Sequence, residues 1–230
     1  MADRPIFIPK VGEVGVKEVN VNFKWHSGFA LVQKQKNIHE LHEEAHGLGF
    51  SNILEISSKS PDPLGVSLSA FNLLITTRKK NQSFSVESAF QGSKVFEKGG
   101  PYLDLFSVDS KTAKKDPRIK SSGNLEHFLF FNKKFPILPR TYFYDWLYIN
   151  ALMQYPRLIE QVMSFNGFSD IEFNPEKSIN CQAHAVALFI SLMNNGISQE
   201  HLKNPEYFLE STSLHYENQK RAIQIQSKMF

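Results

Sequence analysis

The sequence predicts an α+β fold that is predominantly helical. Apolar and polar residues alternate with a period of two at 19–25, which indicates a half-buried strand. Beyond residue 85, apolar residues recur mainly at helical spacing. A chain of 230 residues with 41% hydrophobic residues is also long enough to bury the core of one large domain or two small ones.

The first 57 residues predict an N-terminal strand-helix-strand portion. Val19, Val21, Phe23 and Trp25 form the apolar side of the first strand. A helix is expected over 29–48, where Gly47 and Gly49 end it, and residues 52–57 (NILEIS) predict the second strand. The turn-rich stretch 58–63 (SKSPDP) then marks the boundary of a second portion, residues 64–230, and we expect the two portions to pack as one unit.

The second portion is expected to be mostly helical. Residues 66–77 are apolar and β-branched, and the basic turn Arg78-Lys79-Lys80 follows them. The remaining pattern predicts a helix at 86–98 ended by Gly99-Gly100-Pro101, a polar loop at 104–124, an aromatic helix at 141–154, a helix from Pro156, an extended stretch at 168–175, a buried helix at 179–195 and a C-terminal helix from Asn204-Pro205.

Composition narrows the functional class. A net charge of +3 permits contact with nucleic acid without requiring it. The single cysteine, Cys181, excludes an internal disulfide and multi-cysteine zinc sites. Neither a signal peptide nor a run of about 18–20 apolar residues is present, so we expect a cytoplasmic protein that does not contact a membrane. The 20 phenylalanines suggest that some rings line a pocket.

One metal-binding pattern occurs near the N-terminus. His42, Glu43 and His46 fit H-E-x-x-H, in which two imidazoles of one helical face bind zinc. The position of a third ligand holds Asn52, a poor zinc ligand. We therefore favour a solvated helix face that carries His39, His42, Glu43 and His46, and expect no metal.

Three other groups of residues could carry chemistry. Glu87, Gln91 and Lys94 fall at i, i+4 and i+7 of the predicted helix, beside its apolar stripe, and form either a pocket wall or a surface ion pair. Asp170 and Glu172 share a strand face, where one could be an acid with a raised pKa or both could belong to a polar edge. The basic stretch 111–120 suits phosphate, or is a solvated loop.

The order of these motifs resembles that of the NADAR family. Leu68-Ser69-Ala70-Phe71 resembles its L-S-N-F segment, residues 86–94 its V-E-x-x-[FY]-Q-x-x-K helix, and Tyr144-Asp145-Trp146 a later D-W helix. The resemblance covers roughly residues 64–196. Segments 100–102, 115–118, 170–175 and 178–182 are similar to the branch of NADAR antitoxins paired with DarT-type DNA ADP-ribosyltransferases.

This resemblance implies a NADAR-like (YbiA-like) domain with N-glycosidase activity. Such a protein would remove ADP-ribose from guanine bases of DNA and so reverse the toxin's modification, without a cofactor. Its expected partners are ADP-ribosylated DNA, ADP-ribose as product and the cognate toxin. Two alternatives remain: an antitoxin that neutralises the toxin by binding it, and a zinc peptidase that uses His42, Glu43 and His46.

The reaction assigns roles to individual residues. Cleaving a bond between an anomeric carbon and a guanine nitrogen requires a proton donor, stabilisation of positive charge on the sugar, and a nucleophile or activated water. On one helix, Glu87 and Lys94 would lie about 10 Å apart along the axis and could reach the same sugar. The expected catalytic residues are Glu87, Lys94 and Asp170; those for substrate binding are Ser69, Phe71, Gln91, Tyr102, Arg118, Asp145, Trp146 and Asn180; those contacting DNA are Lys114, Lys115 and Lys120.

Overall fold

A computed structural model describes residues 1–77 and 82–219, so the basic turn Arg78-Lys79-Lys80 lies outside the described residues. In chain order the elements are β1 Ala2–Pro9, β2 Val16–Phe23, α1 Leu31–Gly47, β3 Ile53–Glu55, α2 Pro63–Ser67, β4 Leu74–Thr76, β5 Ser83–Ser85, α3 Val86–Gly92, β6 Lys94–Phe96, a 3-10 helix Leu103–Ser107, α4 Ser110–Lys115, α5 Arg118–Ser121, β7 Leu125–Phe130, β8 Lys133–Pro136, α6 Tyr142–Leu152, α7 Pro156–Val162, β9 Gly167–Ser169, α8 Gln182–Asn194, α9 Gln199–Lys203 and α10 Pro205–Glu217.

The largest sheet joins distant parts of the chain. Its strand order is β2-β1-β9-β3, and β1 and β2 form an antiparallel hairpin. The short strand β9 lies antiparallel to β1 and parallel to β3. Strands from before and after the 58–63 stretch therefore share one sheet.

Each face of this sheet is covered by a helix. Ile6 and Val21 pack with Ile38 and Leu41 of α1, whereas Phe7, the next residue along β1, belongs to the core around α8. Neighbouring strand residues point to opposite faces, so the period-two pattern places one apolar row against each helix. The sheet is therefore an inner layer between α1 and α8.

A second, aromatic part of the core lies around α6. Almost every residue of α6 and α8 is buried. The antiparallel sheet β6-β7-β8 packs against α6, and the rings of Phe128 and Phe143 lie 4.6 Å apart between centroids. Several of the phenylalanines thus fill the core behind the cavity described below.

The α+β class is confirmed, but several elements differ from prediction. The N-terminal portion contains an additional strand, β1, whose prolines and polar start hide its alternation. The helix expected over 86–98 ends at Gly92, because Lys94 begins a strand that pairs with Phe128. The expected loop at 104–124 contains a 3-10 helix and two α-helices. Helices predominate less than predicted after residue 85, since β6–β9 also lie there.

Within residues 1–77 and 82–219, no helix combines the length and the apolar character that a membrane span requires.

Candidate active site

A cavity of about 1020 Å³ opens beside α3. Its wall is formed by the loop after α2, the inner side of α3, the start of β6, α4, β7, α6 and the segment 170–182. Among the polar side chains that line it are Ser69, Glu87, Gln91, Lys94, Lys114, Arg140, Asp170, Lys177 and Asn180.

Glu87 is held in the cavity wall by the start of α3. Ser85 caps this helix, because its Oγ accepts a hydrogen bond from the backbone N of Ser88 at 3.0 Å. The backbone N of Glu87 donates to the carbonyl of Ala70 at 2.9 Å. With only 6% of its surface exposed, Glu87 lies in the first turn, where a carboxylate also interacts favourably with the helix dipole.

Hydrogen bonds connect Glu87 to Lys94 through one amide. Gln91 Nε2 donates to Glu87 Oε1 at 2.9 Å, and Lys94 Nζ donates to Gln91 Oε1 at 2.7 Å. The prediction that all three residues lie on one helix is wrong for Lys94, which begins strand β6. The strand that begins at Lys94 nevertheless keeps its amine beside the helix, so an acid, an amide and an amine remain in line.

Lys94 lies in an environment that disfavours its positive charge. Burial lowers the pKa of Lys94 to about 8, and Lys114 also lowers it, whereas Glu87 acts in the opposite direction. The ammonium nitrogen lies 4.7 Å from the centroid of the Phe90 ring. Near neutral pH, a larger fraction of molecules therefore carries a neutral amine at Lys94 than at an exposed lysine.

Lys114, which the sequence predicted to contact DNA, lines the cavity. Its Nζ lies 3.9 Å from Glu87 Oε1 and 5.2 Å from the centroid of the Phe71 ring. This placement follows from α4, the helix that replaces the expected loop. Lys115 and Lys120 are exposed and do not line the cavity, so the structure does not bring the three lysines together there.

Asp170 lines the cavity next to a second buried carboxylate. Asp170 is 6% exposed and Glu55 only 1%. Burial, and then the charge of Glu55, raise the pKa of Asp170 well above its usual value. Burial also raises the pKa of Glu55, although three hydrogen bonds to this carboxylate oppose the shift. Glu172, the other carboxylate of this segment, is exposed and pairs with Lys34 at 2.7 Å.

The H-E-x-x-H segment is only partly the solvated face expected from sequence. His39, Glu43 and His46 are exposed, but His42 is half-buried and its Nε2 lies 2.8 Å from Ser169 Oγ. Burial lowers the pKa of His42 to about 4, so this ring is neutral. Among the described residues, no three His, Cys, Asp or Glu side chains are grouped to hold a metal ion, so the zinc interpretation lacks a ligand set.

Two side chains of the cavity wall have buried polar atoms that make no hydrogen bond within the described part of the chain. Within the described part of the chain, neither Ser69 Oγ nor Asn180 Oδ1 has a hydrogen-bond partner. Such buried groups are costly unless a ligand or water satisfies them. The neighbouring Gln182 is engaged instead: its Oε1 accepts from the backbone N of Ala70 at 2.7 Å, which fixes the loop that carries Ser69.

Four residues expected to bind substrate lie elsewhere. Asp145 is fully buried, accepts a hydrogen bond from the Tyr216 hydroxyl at 3.1 Å and lies beside His184. Trp146 packs in the core on Phe135, because the opposite side of α6 faces the cavity. Outside the cavity wall, Arg118 stacks 4.4 Å from the centroid of the Tyr102 ring and pairs with two aspartates. Tyr102, Arg118, Asp145 and Trp146 therefore do not line this cavity, and their assignment to substrate binding stays a prediction.

Sequence reasoning missed the residues behind Asp170. Glu55 lies in a strand that was predicted, but nothing in the local pattern distinguishes it from a surface carboxylate. Its partners Ser169 and Ile171 are more than a hundred positions away. The only available signal was a charged residue within the apolar run NILEIS. Arg140, another residue of the cavity wall, was also missed.

Fold and cavity together define an α+β protein with a nucleotide-sized cavity that contains acids and an amine with a lowered pKa. Over residues 2–222, the sequence matches the family model described as the DarT1-associated NADAR antitoxin. The chain belongs to this family of NADAR antitoxins, which confirms the resemblance inferred from the motifs. No curated protein matches the sequence.

Proposed function

We propose that this protein is an N-glycosidase that removes ADP-ribose from guanine bases of DNA and thereby reverses the action of a DNA ADP-ribosyltransferase toxin. The observation that carries the proposal is the hydrogen-bonded chain from Glu87 through Gln91 to Lys94 in the cavity wall. It provides an acid and a partly neutral amine within reach of one sugar. Asp170, on the same wall, provides a second acid.

The size and charge of the cavity suit ADP-ribose. Ligand cavities of about 300–1,000 Å³ accommodate molecules of this size, and the present cavity lies at the upper end of that range. Lys114, Arg140 and Lys177 line it and can neutralise a pyrophosphate. Ser69 Oγ and Asn180 Oδ1, which lack partners among the described residues, can bind sugar hydroxyls.

The chemistry begins with attack on the anomeric carbon. The neutral amine of Lys94 forms a bond to this carbon, while the bond to guanine breaks and its electron pair goes to the guanine nitrogen. Asp170 gives that nitrogen a proton, and Glu87 takes the proton that Lys94 loses. A carboxylate at Glu87 also stabilises positive charge on the sugar.

Water then completes the turnover. The ribose ring opens to an imine with Lys94, and water adds to the imine carbon, assisted by Glu87. The C–N bond to lysine breaks, the amine regains its proton and ADP-ribose leaves. The net reaction consumes one water and yields unmodified guanine and ADP-ribose, and no cofactor enters.

The test is release of ADP-ribose from ADP-ribosylated DNA by the purified protein in the absence of toxin. The Glu87→Gln variant is expected to fold normally and to lose about 10²–10⁴-fold in rate, because an amide cannot transfer the proton. Glu43→Gln, an exposed glutamate of α1, serves as control and should keep wild-type rates. Turnover by Glu87→Gln at the wild-type rate would contradict the proposal.

A second function, neutralisation of the toxin by binding, is favoured by one surface feature. Phe29 is 97% exposed, and Leu31 and Val32 beside it are exposed by more than half. Neighbouring exposed apolar residues are typical of protein-binding surfaces. If this surface binds the cognate toxin, Phe29→Ser weakens complex formation but leaves ADP-ribose release unchanged, whereas an unaltered complex excludes this role.

A further inference from the structure

Glu55 is a buried carboxylate whose two oxygens accept three hydrogen bonds. Its Oε1 accepts hydrogen bonds from Ser57 Oγ at 2.7 Å and from the backbone N of Ile171 at 2.9 Å. Its Oε2 accepts from Ser169 Oγ. Ser169 and Ile171 are the residues on either side of Asp170, so Glu55 is fixed directly behind the cavity acid. Donors on both oxygens favour the ionised form of Glu55.

The hydroxyl of Ser169 sets the direction of this network. It has one proton, which it donates to Glu55, so it must accept from His42 Nε2. His42 is then the neutral tautomer with its proton on Nε2, in agreement with a pKa lowered to about 4. In both hydrogen bonds, from His42 to Ser169 and from Ser169 to Glu55, the proton is therefore donated in the direction of Glu55.

Asp170 has fewer donors and faces several charged or titratable groups. The backbone N of Glu172 donates to its Oδ1 at 3.0 Å, and Cys181 Sγ lies 3.8 Å from Oδ2. The groups around it are Glu55 from β3, Glu172 and Cys181 from its own segment, Tyr144 and Tyr148 from α6, Lys114 from α4 and Arg4 from β1. When two carboxyl groups are buried next to each other, repulsion between their charges favours a state in which only one of them is ionised. Hydrogen-bond donors stabilise the ionised form, so the proton stays on Asp170, which has fewer donors than Glu55.

We propose that Glu55 is a positioning residue that remains ionised and thereby keeps Asp170 protonated, so that Asp170 can serve as the acid for the leaving base. The inference rests on the proposed function and adds to it the order of proton transfer. As the C–N bond breaks, Asp170 gives its proton to the guanine nitrogen. The water that hydrolyses the imine returns a proton to Asp170, and Glu55 neither gains nor loses one.

The direct test is a titration by NMR with ¹³C-labelled aspartate and glutamate carboxyl groups. The signals are assigned by their loss in Asp170→Asn and Glu55→Gln. In the wild type at pH 7, Asp170 should be protonated and Glu55 ionised. In Glu55→Gln, Asp170 should titrate at lower pH, because a negative charge is gone. The fold can accommodate this amide, since Ser169 can accept from Gln at position 55 and donate to His42 instead.

A pH profile distinguishes this role from a merely structural one. The ratio of kcat/KM for Glu55→Gln to that for the wild type should be near one in acid and fall about tenfold per pH unit once Asp170 ionises in the variant. Lys94 titrates in both proteins, so its contribution cancels from the ratio. Glu43→Gln, next to His42 but exposed, should show a constant ratio.

The outcomes of the titration and of the activity measurement are distinguishable. An ionised Asp170 in the wild type at pH 7, or an unchanged titration of Asp170 in Glu55→Gln, overturns the inference. If Glu55→Gln loses its cooperative melting transition, the wild-type signal of Asp170, which is assigned by its loss in Asp170→Asn, decides alone. Because this titration needs no turnover, a wild type that releases no ADP-ribose contradicts the proposed function. Active enzyme with ionised Asp170 instead contradicts the roles of Asp170 and Glu55 in proton transfer and leaves the N-glycosidase activity itself intact.

Discussion

Lys94 combines a lowered pKa with a position in the cavity, and both should appear in the pH dependence of turnover. If its neutral amine attacks the sugar, kcat/KM should rise with pH up to about 8, because deprotonation proceeds through the pKa of about 8. Lys94→Arg should lose activity at every pH, since guanidinium does not deprotonate. Lys98→Arg, an exposed lysine nearby, should show the wild-type profile. A rate independent of pH between 6 and 9 would exclude this role.

The covalent step can be observed directly. Borohydride added during turnover reduces an imine to a stable amine, so an adduct with the mass of ADP-ribose should appear on the peptide that contains Lys94. Peptide mass spectrometry locates it, and Glu87→Gln should trap little. An adduct on another lysine would keep the chemistry and overturn the assignment. No adduct, with partial activity of Lys94→Arg, would restrict Lys94 to binding.

For individual residues, the sequence predicted the groups whose members lie close together along the chain. Glu87, Gln91 and Lys94 lie within eight positions, and the structure joins them although Lys94 is not helical. The contacts of Glu55 with Ser169 and of His42 with Ser169 span 114 and 127 positions. No periodicity within a short window can indicate such pairs, which is why the motif at His42 suggested zinc or solvent instead.

Gly92 ends α3 where another part of the chain comes close. A Cβ at this position would lie 2.6 Å from a carbon of the Phe106 ring and 2.9 Å from the carbonyl oxygen of Tyr102. Gly92→Ala should therefore destabilise the protein by about 1–3 kcal/mol, as overpacking does. Gly47→Ala is the matched control, since its Cβ would meet nothing within 4 Å and alanine favours a helix. Melting temperatures report the stability of both variants. Equal values would show that the Phe106 ring can move aside at no cost in stability.

The lysines of α4 and α5 differ in their position relative to the cavity. Lys114→Ala should reduce turnover on a modified mononucleotide and on DNA alike, because Lys114 lines the cavity beside Glu87. Removing Lys115 and Lys120 together should leave mononucleotide turnover unchanged and weaken only the salt-dependent binding of long DNA, if these exposed lysines contact phosphates. A salt slope equal to that of the wild type would exclude this DNA contact.

Elements with a strong local signature were predictable. The helices α1, α6 and α8 follow from apolar spacing and buried composition, and the proline-led starts of α7 and α10 from the sequence. The hairpin of β7 and β8 was missed, since Asn132 in its turn and the two lysines that begin β8 are typical of a solvated loop. Strand β6 was also missed, because its three residues are stabilised by pairing with β7 and not by local propensity.

The sheet β2-β1-β9-β3 contains strands from both predicted portions, so the fold of residues 64–230 depends on the N-terminal portion. Deleting residues 1–57 would remove β1, β2 and β3, leave β9 without either neighbour, and expose Phe168 and the adjacent face of α8. We therefore expect residues 58–230 alone to give no cooperative unfolding transition and no ADP-ribose release. Circular dichroism with heating tests this expectation. A truncated chain that melts cooperatively and retains activity would show that residues 64–230 fold independently.

The central position of β9 also has a consequence for the order of events on the ribosome. Strand β1 is made first, yet its inner edge stays unpaired until Ser169 has been synthesised. During that interval the nascent hairpin presents a free strand edge, the kind of surface that recruits other chains or chaperones. Contacts so far apart in sequence also slow folding. Newly synthesised antitoxin would therefore become active only after a delay. Molecules that are already folded would act against the toxin without this delay.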